Sequence, residues 1–271
     1  MVVEAETFYR KNQAVEVFSR VTGWQHPGEE VVLRQIAPLV RSKRILDVGI
    51  GGGRTVGLLT LLTDLYVGID YSELMVAAAK KKYPNLDLRV GDARDLSDFD
   101  EGSFDFAYFS YDGIDTMDEG GRKAVLAASH RVLDKDGLFV FSTLSKDGPS
   151  FRESPFQLHR PGRPWDLSAV AAAHLAWRNA QDPLRIFHRL HNWREARERY
   201  VDHDGWGTST MAVTNFTLMN HFVTLARLRQ ELAQAEFEVV AVYGSDQDSG
   251  PLSPDSTSST DDSFYAVARR R

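Results

Sequence analysis

Between residues 44 and 144, short hydrophobic runs alternate with longer amphipathic stretches. The short runs are rich in β-branched and aromatic residues and predict strands, whereas the longer stretches have the apolar spacing of helices. The predicted strands are residues 45–48, 66–69, 86–90, 104–109 and 138–143, and the predicted helices are residues 54–62, 72–83 and 120–133. Alternating strands and helices form a parallel sheet that is covered on both faces. The pattern therefore predicts a doubly wound α/β fold.

The alternation returns near the C-terminus, after an amphipathic helix that is predicted over residues 225–235. Residues 237–243 and 264–268 predict two more strands. We expect them to be antiparallel edge strands that complete a mostly parallel, seven-stranded sheet.

These patterns divide the chain into four predicted parts. The parts are an N-terminal helical lid (residues 1–40), a core (41–145), a lobe inserted between strand 5 and the following helix (146–222), and the C-terminal part of the core (223–271). The second lid helix is expected to begin at Pro27, with Glu29 and Glu30 in its first turn, where the helix dipole favours acids.

The composition excludes several classes of function. The 271 residues carry a formal net charge of −6 and include no cysteine, which excludes disulfides and thiolate sites. The acidic balance argues against a general nucleic-acid binder, which presents a basic face. Neither a secretory leader nor a run of about 20 apolar residues is visible, so we expect a cytoplasmic protein with no nucleic-acid or membrane partner. The sequence leaves the oligomeric state open, with a homodimer among the alternatives.

A glycine-rich turn follows the first predicted strand, in the run RILDVGIGGGRT. It has the pattern D-x-G-x-G-x-G, made by Asp47, Gly49, Gly51 and Gly53. Such a turn lets the backbone approach a ligand, although a tight turn without a ligand is the alternative. A dinucleotide fingerprint would need glycine at position 54, where Arg54 stands. Because an acid at the strand mouth repels phosphate and attracts a cation, Asp47 favours a ligand with an ammonium group.

Two more acids end the next two predicted strands. Asp70 follows Gly49 by 21 residues, near the offset at which an acid binds ribose hydroxyls. Asp92 can accept from an adenine amino group, while the backbone N–H of Ala93 donates to the ring. A single acid at a strand end is more often a helix cap, but three at successive strand ends indicate a nucleoside.

The order and spacing of five blocks, LDVGIGGGRT, VGIDYS, GDARDL, FDFAYFSYDGID and HRVLDKDGLFVFST, resemble the class I S-adenosylmethionine-dependent methyltransferases of small-molecule type. The resemblance covers about residues 40–145, with a weaker echo at 225–243 and 264–268. It implies S-adenosyl-L-methionine as cofactor and a Rossmann-like core. By resemblance, Asp47, Gly49, Gly51 and Gly53 hold the methionine part, Asp70 the ribose, and Tyr71, Asp92 and Ala93 the adenine, while Ser110 lies beside the methionine part and Tyr9 closes over the cofactor.

The implied reaction is an in-line displacement in which a nitrogen or oxygen atom of a small-molecule acceptor attacks the methyl carbon. Catalysis comes mostly from the alignment of the acceptor atom with the methyl group, and a base is needed only if the acceptor arrives protonated. Asp112 and His221 are the candidates for substrate orientation or proton removal. A turn-forming role for Asp112 and a packed role for His221 are equally open.

The sequence has three alternative interpretations. A methyltransferase acting on protein or RNA is one, and a protein that binds S-adenosylmethionine without catalysis is another. A metal at His188, His191 and His203 is the third, and their spacing argues against it, so no metal is expected. The nine arginines between residues 151 and 210 favour an acceptor with a carboxylate or a phenolate.

Overall fold

The computed structural model describes residues 23, 25–155, 183–245 and 250–271. The strands in these residues are β1 (Ile45–Val48), β2 (Tyr66–Asp70), β3 (Asp87–Val90), β4 (Phe104–Phe109), β5 (Leu133–Leu144), β6 (Val201–His203), β7 (Trp206–Thr210), β8 (Met219–Val223), β9 (Phe237–Tyr243) and β10 (Ser263–Arg270). The helices are α1 (Pro27–Val40), α2 (Val56–Leu59), α3 (Glu73–Lys82), α4 (Glu119–Val132), α5 (Pro183–Arg197) and α6 (Leu225–Gln234).

Seven strands form the main sheet, in the order β3-β2-β1-β4-β5-β10-β9. The pairs from β3 to β5 are parallel, and β10 is antiparallel to both of its neighbours. The predicted seven-stranded, mostly parallel α/β sheet is therefore confirmed. The expectation of two edge strands was wrong for β10, which lies between β5 and β9. Its backbone pairs with β5 along one edge and with β9 along the other, so both edges of β10 are hydrogen-bonded.

Helices cover both faces of the sheet, because alternate strand residues are buried on opposite sides. In β4, Phe106 and Tyr108 belong to the cluster that includes α1, α2 and α3. Ala107 and Phe109 belong to the cluster that includes α4 and α6. Each face of the sheet thus has its own hydrophobic core.

Helix ends follow their capping residues. Ser72 accepts from the backbone N–H of Met75 at the start of α3, and Asp118 accepts from that of Gly121 at the start of α4. The helix expected over residues 54–62 is only the four residues of α2. The chain at its start is still in the glycine turn, and Thr60 is the C-cap. Helix α1 begins at Pro27 as expected, whereas the first lid helix lies outside the described residues.

A second sheet lies in sequence between β5 and α6. Its strands run antiparallel in the order β6-β7-β8. The pairing of His203 with Trp206 closes a hairpin over Asp204 and Gly205, and a bridge between Ser145 and Val223 joins β8 to the end of β5. The boundaries of the inserted lobe remain a prediction. In the described residues, no helix is both long enough and apolar enough to cross a bilayer.

Candidate functional site

A cleft with about 720 Å³ of empty space, open to solvent, lies at the carboxyl ends of β1 to β4. The strand order reverses between β1 and β4, and open α/β sheets bind their ligands at such a switch point. The lining residues are Val48, Gly49, Gly51, Asp70, Tyr71, Met75, Gly91, Asp92, Ala93, Phe109, Ser110, Tyr111, Gly113, Thr116 and Met117. The cleft thus brings together seven of the cofactor residues that the sequence predicts.

The glycine turn presents backbone to this cleft. Gly49 and Gly51 have φ angles of +68° and +53°, which side chains rarely adopt. A Cβ on Gly49 would lie 2.7 Å from the ring of Phe109, whereas no atom of the described chain lies within 4 Å of a Cβ built on Gly51. Gly53, with φ +91°, instead faces the ring of Tyr83 and does not line the cleft. The approach to a ligand is therefore made at Gly49 and Gly51.

Asp70 is a buried carboxylate in the wall of the cleft. Its Oδ2 accepts from the backbone N–H of Gly51 over 2.9 Å, and its Oδ1 accepts from that of Ser72 over 2.8 Å. Burial raises the pKa of Asp70, against the effect of these two hydrogen bonds. Each carboxylate oxygen can accept more than one hydrogen bond, so Asp70 can also accept from ligand hydroxyls.

The lining of the cleft also includes the acid Asp92 and several apolar side chains. Asp92 is paired with Arg94, whose Nη2 lies 2.5 Å from Oδ2, and the hydrogen bonds of Arg94 lower the pKa of this carboxyl. Ala93, Met75 and Met117 lie nearby in the lining. The sequence did not single out the two methionines, because a methionine in a helical stretch looks the same whether it packs in a core or lines a cleft.

Ser110, at the end of β4, is tied to a buried ion pair that the sequence analysis missed. Arg54 donates from Nη2 to Oγ of Ser110 over 2.6 Å, and it holds both carboxylate oxygens of Glu29 at 2.7 and 2.9 Å. Tyr108 also donates to Glu29, over 2.6 Å. Burial would raise the pKa of Glu29, but Arg54 and Tyr108 together lower it. The signal for this pair was an arginine directly after the glycine turn.

Asp47 is buried at the end of β1, next to the glycine turn. It is 1% exposed, and its Oδ2 accepts from the hydroxyls of Thr55 and Tyr66, each over 2.7 Å. Burial raises its pKa to about 7. Among the described residues that line the cleft, Asp47 is absent. Its hydrogen bonds hold the chain after the glycine turn to β2, so its role toward a ligand cation stays a prediction and this placement gives it no direct contact with the cleft.

Neither catalytic candidate lines the cleft, although Asp112 stands between two residues that do. Its backbone N–H donates to Oγ of Ser142, while its buried Oδ1 finds no hydrogen-bond partner among the described residues. Burial raises its pKa to about 6. His221 is 1% exposed on β8 and stacks on Trp206. Their catalytic roles stay predictions, and this placement gives them no direct contact with the cleft.

Two further expectations concern closure and metals. Tyr9 lies outside the described residues, so its expected closure over the cofactor stays a prediction. Within residues 23, 25–155, 183–245 and 250–271, no group of three His, Asp or Glu side chains has the arrangement of a metal site.

Comparisons with known proteins agree with this geometry. Residues 45–137 match the family model described as a methyltransferase domain. A probable S-adenosylmethionine-dependent methyltransferase of Mycolicibacterium smegmatis is 26% identical over 163 residues, which are 59% of this chain and 61% of that relative. Residues 45–137 of this chain form a methyltransferase domain, and the Mycolicibacterium relative depends on S-adenosylmethionine. An uncharacterized methyltransferase of Synechocystis is 30% identical over 104 residues, 38% of this methyltransferase and 48% of the relative.

The fold of this methyltransferase is found in a solved structure. The crystal structure of 1,6-didemethyltoxoflavin-N1-methyltransferase from Burkholderia thailandensis has a TM-score of 0.57 and 13% identity, and the match covers 100% of this chain and 91% of that one. At this identity the likeness concerns the fold alone. The sequence matches span less than two thirds of the two curated relatives, so the activity of the whole protein is a matter for proposal.

Proposed function

We propose that this methyltransferase transfers the methyl group of S-adenosylmethionine to a nitrogen or oxygen atom of a small-molecule acceptor. The observation that carries the proposal is the grouping of Gly51, Asp70 and the Asp92–Ala93 pair at the ends of three neighbouring strands, in one cleft. A backbone open to the cleft, a buried carboxylate and a second acid match, in order, the amino acid, the ribose and the base of a nucleoside that carries an amino acid.

The residues present fit this cofactor. The open space over Gly51 admits a ligand chain close to the backbone. Asp70 is already fixed by two backbone N–H groups, so it can accept from ribose hydroxyls without rearrangement. Asp92 and the N–H of Ala93 offer one acceptor and one donor for adenine, and the apolar side chains of Met75 and Met117 suit the faces of its ring.

When bound, S-adenosylmethionine supplies an electrophilic methyl group on a sulfonium. The protein contributes position and the exclusion of water. Of the described residues in the lining, the ionisable ones are Asp70, Tyr71, Asp92 and Tyr111. Burial raises the pKa of Tyr111, so its hydroxyl is no base at neutral pH. This lining suits an acceptor whose nitrogen or oxygen presents its lone pair without the removal of a proton by the enzyme.

A small molecule is favoured over RNA by two features. The chain has a formal net charge of −6, and the cleft is a concave site with a largely apolar lining. The Burkholderia methyltransferase of the same fold was crystallised with 1,6-didemethyltoxoflavin, a small molecule.

Two measurements test the proposal. Calorimetric titration should show that the protein binds S-adenosylmethionine and S-adenosylhomocysteine, and the lack of binding would reject the proposal. Incubation with methyl-labelled cofactor and a cell extract, separated into metabolites, RNA and protein, should then place the label in the metabolite fraction. Label in RNA or protein would overturn the acceptor class. Cofactor binding without transfer to any fraction would favour the non-catalytic alternative.

A further inference from the structure

Arg54 lies directly behind the cleft and joins three parts of the fold. It follows the glycine turn, binds Glu29 of α1 through both carboxylate oxygens, and donates to Ser110 after β4. Its guanidinium carbon also lies 5.1 Å from the ring centre of Tyr111. The side chain is only 11% exposed, and it does not belong to the described lining of the cleft. Any effect of Arg54 on a ligand must therefore pass through the residues that it holds.

Glu29 is a fixed anchor for this arginine. It is 1% exposed and accepts from the hydroxyl of Tyr108 over 2.6 Å and from the backbone N–H of His26 over 3.1 Å. Two-point contact between a guanidinium and a carboxylate fixes direction as well as distance. Helix α1, β4 and the glycine turn are thus held together at one buried ion pair.

The wall that Arg54 contacts has a strained backbone. Tyr111 and Asp112 have φ angles of +60° and +57°, so two successive residues other than glycine adopt the left-handed conformation. Such a conformation persists only where the surroundings hold it. The contacts that hold this turn include the guanidinium of Arg54 over the ring of Tyr111 and the hydrogen bond from Asp112 to Ser142.

We propose that Arg54, anchored by Glu29, is a positioning residue that fixes Ser110 and Tyr111 in the wall of the cleft before the cofactor binds. The inference rests on the proposed function, because it assumes that S-adenosylmethionine occupies this cleft. A wall that is ordered in advance costs the ligand less free energy on binding. Loss of Arg54 then weakens cofactor binding even where the fold is intact.

The test must separate positioning from stability. Arg54→Met alone leaves the buried charge of Glu29 without its partner and can unfold the protein. The double variant Glu29→Gln with Arg54→Met removes both charges and should keep the unfolding temperature near that of the wild type. Arg54→Lys is the milder change, since it keeps a cation beside Glu29 but lacks the planar fork that also reaches Ser110.

The chain offers a matched control in Arg44. This residue makes a similar two-point pair with Asp105, at 3.0 and 2.9 Å, but it stands before β1, at the amino end of the sheet. Arg44→Met therefore removes another two-point arginine–carboxylate pair, a more exposed one, without touching the cleft. It should change the unfolding temperature and leave the dissociation constant of the cofactor unchanged.

Calorimetry with S-adenosylmethionine and with S-adenosylhomocysteine gives the readout, beside thermal unfolding of the free proteins. We expect the double variant and Arg54→Lys each to bind about tenfold more weakly than the wild type. In a background that carries both Ser110→Ala and Tyr111→Leu, Arg54→Lys should cost much less, because both residues through which it acts have been changed. Wild-type affinity in Arg54→Lys or in the folded double variant would overturn the inference, and so would equal losses in both backgrounds. A wild-type protein that binds neither ligand would instead refute the proposed function.

Discussion

The carboxylate of Asp70 accepts a hydrogen bond from the backbone N–H of Gly51 across 2.9 Å. This contact joins the end of β2 to the glycine turn after β1. The group expected to bind the ribose and the backbone expected to approach the methionine part are therefore one unit. A change in either residue should therefore affect the binding of both the ribose and the methionine part.

Replacement of Asp70 by alanine should weaken the binding of S-adenosylmethionine by about 10- to 100-fold, the worth of hydrogen bonds to a charged group. The variant loses the acceptor for ligand hydroxyls and also frees the N–H of Gly51. Calorimetric titration measures the change. Asp87→Ala is the control, because Asp87 is an exposed acid on β3 that pairs with Arg89, away from the cleft. Equal affinities for the two variants would contradict the role of Asp70.

Replacement by alanine should affect mainly stability at Gly49 and mainly cofactor binding at Gly51. At Gly49 the new methyl would lie 2.7 Å from Phe109, so the variant combines a clash with an unfavourable φ and should lose mainly stability. At Gly51 the methyl meets no described atom, so the backbone cost is about 1–2 kcal/mol, while the methyl occupies cleft space and should weaken cofactor binding.

Urea unfolding and calorimetry on both variants check this pattern. Gly102→Ala is the control that measures the loss of stability from the backbone conformation alone. Gly102 has φ +67°, its built Cβ has ordinary contact distances, and it does not belong to the described lining of the cleft. If Gly51→Ala bound cofactor as well as Gly102→Ala does, then Gly51 would not be part of the binding surface.

The strand pattern predicted the core because its strands are buried on both faces. β4 was predicted with its observed bounds, since the run FDFAYF is almost continuously apolar. β7 was missed because WGTST has small polar residues where a half-buried strand usually shows alternation. A signal for its hairpin was present all the same, as Asp204-Gly205 is a typical two-residue turn.

Some residues of the site could likewise be placed from the sequence, and others could not. Asp70 and Asp92 line the cleft, and the sequence could place them at one edge of the sheet because strand ends can be predicted from hydrophobic runs. The sequence could not show that the side chain of Asp47 lies outside the lining of the cleft, because a run of four buried residues does not indicate which face a side chain takes. Glu29 and Arg54 are 25 residues apart, and their pairing depends on how α1 packs on the sheet, which local patterns do not contain.

Arg122 should be essential for stability rather than for cofactor binding. It is 1% exposed and pairs with Asp115 and with Glu231, its Nη2 lying 3.0 Å from the latter. Arg122→Met leaves the buried Asp115 without a cation and leaves Glu231 with Arg227 alone, so we expect a loss of about 3–5 kcal/mol in the free energy of unfolding at pH 8. Arg269→Met, which breaks the exposed pair with Glu238, should cost less than about 1 kcal/mol.

The Arg122→Met variant should recover stability as the pH falls. Burial already raises the pKa of Asp115 to about 8, and loss of the arginine raises it further. An acid whose folded pKa exceeds its ordinary value of 3.8 binds its proton more tightly when folded, so acidification from pH 8 to pH 6 favours the folded variant. Urea unfolding at the two pH values checks the sign. A further loss at pH 6, relative to the wild type, would contradict the assignment.

His221 is buried in a place that disfavours its charged form. Neither ring nitrogen has a hydrogen-bond partner in the part of the chain that the structure describes, and the ring stacks on Trp206 with centroids 5.0 Å apart. Its pKa is lowered to about 3, mainly by burial and to a smaller extent by the charges of Arg122 and Arg227. The unfolded chain takes up this proton near pH 6.5, so the wild type should lose stability as the pH falls from about 6.5 to 3.

His221→Phe should therefore stabilise the protein at pH 7 by about 1–3 kcal/mol, because the ring stacking remains and two unpaired nitrogens are removed. Between pH 7 and pH 5 the variant should lose less stability than the wild type, by at most about 1.4 kcal/mol per pH unit. Urea unfolding at both pH values measures the difference, with the exposed His191→Phe as control. If the wild type and His221→Phe lost the same stability between pH 7 and pH 5, then the folded protein would bind the proton of His221 as readily as the unfolded chain does. Methyl transfer that survives in the stabilised variant would in turn exclude His221 as the base, since phenylalanine cannot accept a proton.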